Sequence, residues 1–291
     1  MPYIIGIDLG TTNSCLAYVD LKHPSLSINY FKIPQLTNVG TIESLSTLPS
    51  FIYLSAEGEW PKGTLNLPWN KNNKAIVGSF ALKAGAKIPS RMIQSAKSWL
   101  CHSAANRKDK ILPFNPDFLG EKKSPIEATT EYLNHLRNAW NYGMGRKNVE
   151  DEFEEQTIIL TVPASFDEVA RTLTVEAAKK AGFKNLTLLE EPQAAFYAWL
   201  SQNNFLKTFK ENDTILVCDV GGGTTDFSLI EVKKDKDQLT FSRMAVGDHL
   251  LLGGDNIDDA LTHLIEQKIL EKGHAEFTST QWQKIRSTAR F

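Results

Sequence analysis

Tyr3-Ile4-Ile5-Gly6-Ile7-Asp8-Leu9-Gly10-Thr11-Thr12-Asn13-Ser14 opens the chain, and Cys218-Asp219-Val220-Gly221-Gly222-Gly223-Thr224-Thr225-Asp226 repeats its design far downstream. In each, an apolar run reaches an aspartate, a glycine-containing turn and paired threonines follow, and strand composition resumes. Glycine lets backbone N–H groups approach an anion with no Cβ in the way, threonine hydroxyls add donors, and an aspartate at a strand end can hold water on a divalent cation. Two such turns facing one another would clamp a polyphosphate and its Mg²⁺. One Asp-x-Gly alone is common in ordinary hairpin loops; its duplication at equivalent points of two sheets is what points to phosphate. A Walker A loop is excluded, because Gly58 and Gly63 have the right separation but Thr64 stands where lysine is required.

Working outward, Ser14 to Val19 completes a hairpin, and Ser27 to Ile33 reads as a third strand of that sheet. From about residue 35 to 123 the composition turns to Pro, Gly, Asn and Ser with scattered aromatics, which reads as an inserted subdomain. It is expected to hold one strand, Leu48 to Leu54, and a helix near Arg91 to Leu100. Ser124-Pro125-Ile126-Glu127 combines an N-cap serine, a first-turn proline and a glutamate three residues on. This predicts a helix to about Tyr142 that buries Ile126, Leu133, Leu136 and Trp140. The acidic run Glu150 to Glu155 reads as a solvated connection. Thr157 to Val162 is a buried strand stopped by Pro163, and Ser165 with Glu168 has capping-box spacing for a helix ending at Gly182. Leu186 to Leu189 then leads into a helix near Glu191-Pro192. From Asp213 three antiparallel strands are predicted, Ile215 to Asp219, Asp226 to Val232 and Leu239 to Val246, closed by a helix from Ile257 to Leu270. The fold class is α/β.

With 291 residues, 42% hydrophobic, the chain can bury a sizeable core, which excludes a peptide or a largely disordered tail. Its formal net charge of −2 provides no global field for nucleic acid or an anionic membrane, so neither is an expected partner. Cys15, Cys101 and Cys218 are too scattered for a disulfide framework or zinc knuckle and suit a reducing compartment. No basic leader precedes the first apolar run, and no run approaches the roughly 18 residues of a membrane span. The expectation is a soluble cytoplasmic protein.

The first turn together with Thr161-Val162-Pro163-Ala164, Glu190-Glu191-Pro192-Gln193-Ala194-Ala195 and the second turn resembles the DnaK-type heat-shock protein 70 chaperones, in order, to about Asp258. The resemblance implies the actin-like (ribonuclease H-like) ATPase fold, in which two related lobes enclose Mg-ATP and hydrolysis controls a separate peptide-binding domain. It divides this chain into lobe I, residues 1–207 with the insert at about 35–123, and a partial lobe II, residues 208–291. Nucleotide, ATP or ADP with Mg²⁺, is the implied ligand; co-chaperones and a peptide-binding domain are implied partners outside this chain, and stress response is the implied setting.

Carried over by position, Gly10, Thr11, Thr12 and Asn13 resemble the family's first phosphate loop, and Gly221, Gly222, Gly223 and Thr224 its partner. Asp8 and Asp219 resemble the carboxylates that hold hydrated Mg²⁺. Glu191 resembles the carboxylate near the attacking water, where it would orient that water or accept its proton, though a helix cap is an ordinary role for the same residue. Lys97 occupies the place of the catalytic lysine, where a cation stabilises charge on the transferring phosphoryl group. Asp219 and Thr224 count among the catalytic residues too. Gly253 and Gly254 fall where backbone amides approach the β-phosphate, and Arg171 and Pro163 resemble residues that pass the nucleotide state between lobes and peptide-binding domain.

Three departures mark a divergent branch: Thr225 in place of phenylalanine, Gln193 in place of threonine, and an insert rich in tryptophan (Trp60, Trp69, Trp99). The chain stops at Phe291, before a second lobe would be complete and without a counterpart of the adenosine loop, so weakened binding and turnover are expected. The six histidines, His249 among them, form no ligand-spaced pair, so the expected metal arrives with ATP. Cys15 and Cys218 read as small core residues, and Phe196, Tyr197 and Trp199 as lobe-interface packing. The rival readings are a nucleotide sensor or docking module without useful hydrolysis, and a small-molecule kinase on the same superfold.

Overall fold

Ile5, Ile7 and Leu9 alternate inward along β1 (Tyr3–Leu9), and their burial fixes the register of everything paired to it. The computed structural model describes residues 1–102, 106–116, 118–146, 148–203, 208–236, 238–247 and 250–289. β2 (Asn13–Asp20) returns antiparallel to β1, placing Ser14 opposite Leu9 and Cys15 opposite Asp8. β3 (Ile28–Tyr30) extends this sheet beyond β2. The expected strand Ser27 to Ile33 breaks there. Ile33 instead begins β4 (Ile33–Asn38), which pairs with β5 (Thr41–Leu45) as a separate ribbon.

The insert holds more regular structure than its composition suggests. The run Leu48 to Leu54 is two short strands in different sheets: β6 (Leu48–Pro49) pairs with β2, whereas β7 (Ile52–Leu54) pairs with β8 (Ala75–Val77) and β9 (Met92–Ile93). Helix α1 (Ser79–Lys87) closes a small core of Phe51, Tyr53, Ile76, Phe80 and Met92. Gly85 on that helix makes the approach possible, because a Cβ there would meet Met92 Sδ at 2.2 Å. The predicted helix from Arg91 is shorter, α2 (Ala96–Cys101), since Met92 and Ile93 pair as strand and Ser95 takes a left-handed φ of 53°.

Helix α3 (Pro125–Gly143) starts where predicted, with Ser124 Oγ accepting from Glu127 N at 3.1 Å and Glu127 Oε2 accepting from Ser124 N at 2.7 Å. All four predicted core positions are buried, Trp140 beside Tyr3, Tyr18 and Phe31. The acidic connection is not merely solvated. Asp151 is buried, and its carbonyl accepts from Trp140 Nε1 at 2.9 Å.

β10 (Thr157–Val162) lies parallel to β1 and β11 (Asn185–Glu190) parallel to β10, giving the order β11-β10-β1-β2-β3 with β6 at the end of β2. Between them runs α4 (Glu168–Lys180), whose cap is Asp167 rather than Ser165: its carboxylate accepts from Ala170 N at 2.7 Å. Ser165 N donates to Asp226 instead, so its amide is committed outside the helix. After α5 (Glu191–Gln202), a second sheet of β12 (Thr214–Val220), β13 (Thr225–Asp235) and β14 (Gln238–Val246) is antiparallel throughout. Helices α6 (Gly254–Glu271) and α7 (Ser279–Ala289) follow. Residue 207, the expected lobe boundary, and His249 lie outside the described residues.

Both cysteines expected in the core lie closer to solvent, Cys15 half-buried and Cys218 exposed. Leu216, Cys218 and Val220 share the exposed face of β12, a face that carries no covering layer among the described residues. No helix among them is long and apolar enough to cross a membrane.

The α3 cap gives a direct test. Ser124→Ala removes a reciprocal hydrogen-bonded cap and should lower unfolding stability by about 1 kcal/mol, read from the urea midpoint, with unchanged slope.

Candidate functional site

The two repeated turns meet. Gly10, Thr11, Thr12 and Asn13 from the β1–β2 connection and Gly221, Gly222 and Thr224 from the β12–β13 connection line one cavity of about 490 Å³. Asp8, Asp219, Lys97 and Glu191 complete its charged wall, and Ala194, Ala195 and Ala198 of α5 supply a face without bulk.

Each turn is braced from behind. Ser50, which follows β6, donates through N to Thr12 O at 2.8 Å and through Oγ to Gly10 O at 2.7 Å. Tyr132 of α3 in turn donates to Ser50 O at 2.9 Å, linking the first turn to the core. Gly10 itself has no room for a side chain, since a Cβ would lie 2.2 Å from Asn13 O. In the second turn Gly221 N donates to Thr224 O at 2.9 Å. Where the turns touch, a Cβ on Gly222 would lie 2.2 Å from Thr12 Oγ1, and one on Gly223 2.2 Å from Ser98 Oγ.

Gly223, Gly253 and Gly254 do not reach the cavity wall. Gly223 faces Ser98 and Thr11. Gly253 packs against the back of the second turn, where a Cβ would meet Gly221 O at 2.6 Å and Gly222 C at 2.7 Å. The amides expected at a phosphate are committed elsewhere: Gly253 N to Asn256 Oδ1 at 2.9 Å, Gly254 N to Gly221 O at 3.1 Å and Asp255 N to Gly222 O at 2.7 Å. This glycine pair supports the second turn from behind.

Lys97 and Glu191 form a buried ion pair, Nζ to Oε1 at 2.5 Å, with side-chain exposures of 10% and 14%. Burial pushes the Glu191 carboxyl up to about 7; Lys97 draws it back down, and Asp8 and Asp219 add to the rise. Burial also raises Asp219, again opposed by Lys97 and reinforced by Asp226 and Asp8. Asp8 accepts from Thr161 Oγ1 at 3.1 Å, so β10 orients the β1 carboxylate.

Three carboxylates against one ammonium leave the cavity with surplus negative charge, which suits a divalent cation. Among the described residues no group of three His, Cys, Asp or Glu side chains is arranged to hold a metal directly. The donor set therefore fits a hydrated Mg²⁺ that keeps its waters and shares its remaining positions with phosphate oxygens.

Several contributors carried no local signature. Ser50 lies far from the turn it braces, Thr161 within an ordinary buried strand, and Ser95, whose Oγ donates to Asp255 Oδ2 at 2.5 Å, at the head of the Lys97 helix.

A methyl group tests the packing behind the second turn. Gly253→Ala meets backbone atoms and should cost about 1–3 kcal/mol in urea unfolding; Gly222→Ala meets the Thr12 side chain, Oγ1 at 2.2 Å and Cβ at 3.3 Å, and should cost less because the hydroxyl, the nearer atom, can turn away.

The family model described as Hsp70 protein matches residues 4–290. Among curated proteins, the chain is 28% identical to a chaperone protein dnaK of Phaeodactylum tricornutum over 280 residues, covering 95% of this chain and 40% of that protein. It is 30% identical to a chaperone protein HscA homolog of Pseudoalteromonas atlantica over 277 residues, 91% of this chain and 37% of that one. A DnaK of Buchnera aphidicola matches at 28% over 284 residues. The chain thus spans about two fifths of the length of the curated relatives it matches. With a match across nearly its whole length, and with both glycine turns facing one cavity, the chain belongs to the Hsp70 family.

Proposed function

We propose that this chain binds ATP and ADP with Mg²⁺ between its two glycine turns and hydrolyses ATP, as the nucleotide-binding part of a divergent DnaK-type chaperone with the actin-like fold. In this reading residues 1–207 and 208–291 are the two lobes, and a peptide-binding domain and co-chaperones act on the same cycle from outside the chain. The observation that carries it is the shared cavity: both turns, both strand-end aspartates, a buried lysine and a buried glutamate line one space of about 490 Å³.

The chain's own groups divide the work. Amides and hydroxyls of Gly10 to Asn13, the Gly222 amide and the Thr224 hydroxyl would hold the phosphate tail, with Gly221 closing the second turn, while Asp8 and Asp219 would hold the waters of the cation. When bound, Mg²⁺ supplies charge neutralisation across the phosphates. Glu191 orients a water for in-line attack on the γ-phosphorus and takes its proton; the bond from phosphorus to the bridging oxygen breaks, leaving ADP and phosphate. A carboxyl near 7 is well matched to accepting that proton at neutral pH. Lys97, 2.5 Å from Glu191, supplies the cation beside the transferring group.

Single-turnover hydrolysis tests the assignment. Lys97→Ala should slow it by roughly 10²–10³-fold; equal, slow decay in wild type and variant would remove the enzymatic reading and leave a nucleotide sensor. The pH response has a fixed sign. Protonated below about 7, Glu191 cannot accept a proton, so the rate should rise through that value, well above an ordinary carboxylate's midpoint. The same shift raises the folded-state value above the unfolded one. Glu191 should therefore withdraw stability as pH rises from about 4.3 through about 7, while buried His135, held down to about 4, adds stability up to its ordinary value near 6.5; thermal unfolding of wild type against Glu191→Gln at pH 5 and pH 8 isolates the glutamate's share.

A further inference from the structure

β11 ends at Glu190 and α5 begins at Glu191, so the backbone at Glu190 sets how the buried carboxylate enters the cavity. Glu190 occupies the N-cap position of α5 with extended backbone, yet its side chain caps no helix amide. Two guanidinium groups take it instead. Arg171 of α4 donates through Nη2 to Oε1 at 3.0 Å, and Arg243 of β14 donates to Oε2.

These two arginines come from different parts of the molecule. Arg171 is anchored beside the first sheet, with Nε on Phe166 O at 3.1 Å and Nη2 also on Ala164 O at 3.2 Å. Arg243 stands on the outer strand of the second sheet, across a groove of about 310 Å³ shared with Gln193, Tyr197 and Phe241. The Glu190 side chain retains 15% exposure and the Arg243 side chain 50%, so the bridge is sheltered on its carboxylate side and open to solvent on its guanidinium side. Removing Arg243 leaves Glu190 still paired to Arg171, and Phe196 still packs edge-on against Phe241 at 5.1 Å across the same groove. The variant therefore keeps both its paired charge and its apolar seam.

We propose that Arg243 is a positioning residue for Glu191. By reaching from the second sheet to Glu190, it holds the strand-to-helix junction so that the neighbouring carboxylate meets Lys97 and the cleft in the right place only when the two halves are joined. Its catalytic meaning rests on the proposed role of Glu191 in hydrolysis. Its structural meaning does not.

The test compares Arg243→Gln, Arg243→Lys, Glu190→Gln and the Glu190→Gln/Arg243→Gln double variant in the whole chain. In nucleotide-free protein, Arg243→Gln should speed amide exchange at residues 195–198, the first bonded turn of α5, by about three- to tenfold, and Arg243→Lys should restore protection. The double variant should exchange no faster than Glu190→Gln alone, because one bridge cannot be lost twice. With ATP, Arg243→Gln should lower the single-turnover rate by a similar factor while nucleotide affinity stays within about twofold. Unchanged exchange in Arg243→Gln, additive effects in the double variant, or a loss confined to affinity would overturn the proposal. A wild-type chain that neither binds nor hydrolyses ATP would count against the proposed function, and the exchange comparison would still decide the bridge.

Discussion

Two loops from opposite ends of the chain touch at a seam with no space for a Cβ, and the rest of the site follows from that contact. At Gly222 a methyl would strike the Thr12 hydroxyl, at Gly223 the Ser98 hydroxyl, and at Gly253 the backbone of the second turn itself. Glycine is demanded here by close approach, not by an unusual φ, since none of these three has a positive value. Because the seam is so tight, small movements of either sheet change the width of the cavity directly. That makes the cavity sensitive to whatever holds the sheets together.

Electrostatics gives the cavity its character. Asp8, Asp219 and Glu191 share it with a single ammonium, and the low exposure of Lys97 and Glu191 strengthens the interactions those two make. The consequence is a Glu191 carboxyl pushed up to about 7 by burial, with Lys97 opposing the rise and the two aspartates adding to it. An apolar patch of the same shape would be more stable, so this arrangement is kept at a cost to stability, as expected where groups must change charge during use. The anionic surplus suits a divalent cation, and a polyphosphate would enter this cavity together with its cation rather than alone.

How much of this was legible in the sequence differs by region, and the reason is whether the signal is local. The Ser124 cap, the Gly10 and Gly221 turns and the inward stripe of α3 are written in consecutive or helically spaced residues, and they stand where the sequence puts them. Ser165 misled because capping-box spacing says nothing about competition from Asp226, which lies far along the chain and takes the amide first. Composition makes the insert look sparse because four of its strands are two or three residues long, too short to alternate visibly, and are stabilised by pairing with distant segments. Gly253 and Gly254 show a further limit. A motif marks residues as belonging to a site without telling which face of the backbone they present.

The links across the seam are chemically unlike the core beneath it. Within the first sheet's unit, Ile5, Leu16, Leu136, Trp140 and Leu160 are sealed from water, a non-directional attraction that tolerates no gap. Between the two halves polar bonds stand beside the apolar contact of Phe196 with Phe241: Ser95 to Asp255, Ser165 to Asp226, Glu190 to Arg243, and Asn115 to Gln283. Polar bonds of this kind exchange readily for water, so parting the halves costs far less than opening a dry interface would. The nucleotide binding and release proposed above would need a seam of this kind, closed by directional bonds strong enough to hold the Glu190–Glu191 junction and weak enough to let go.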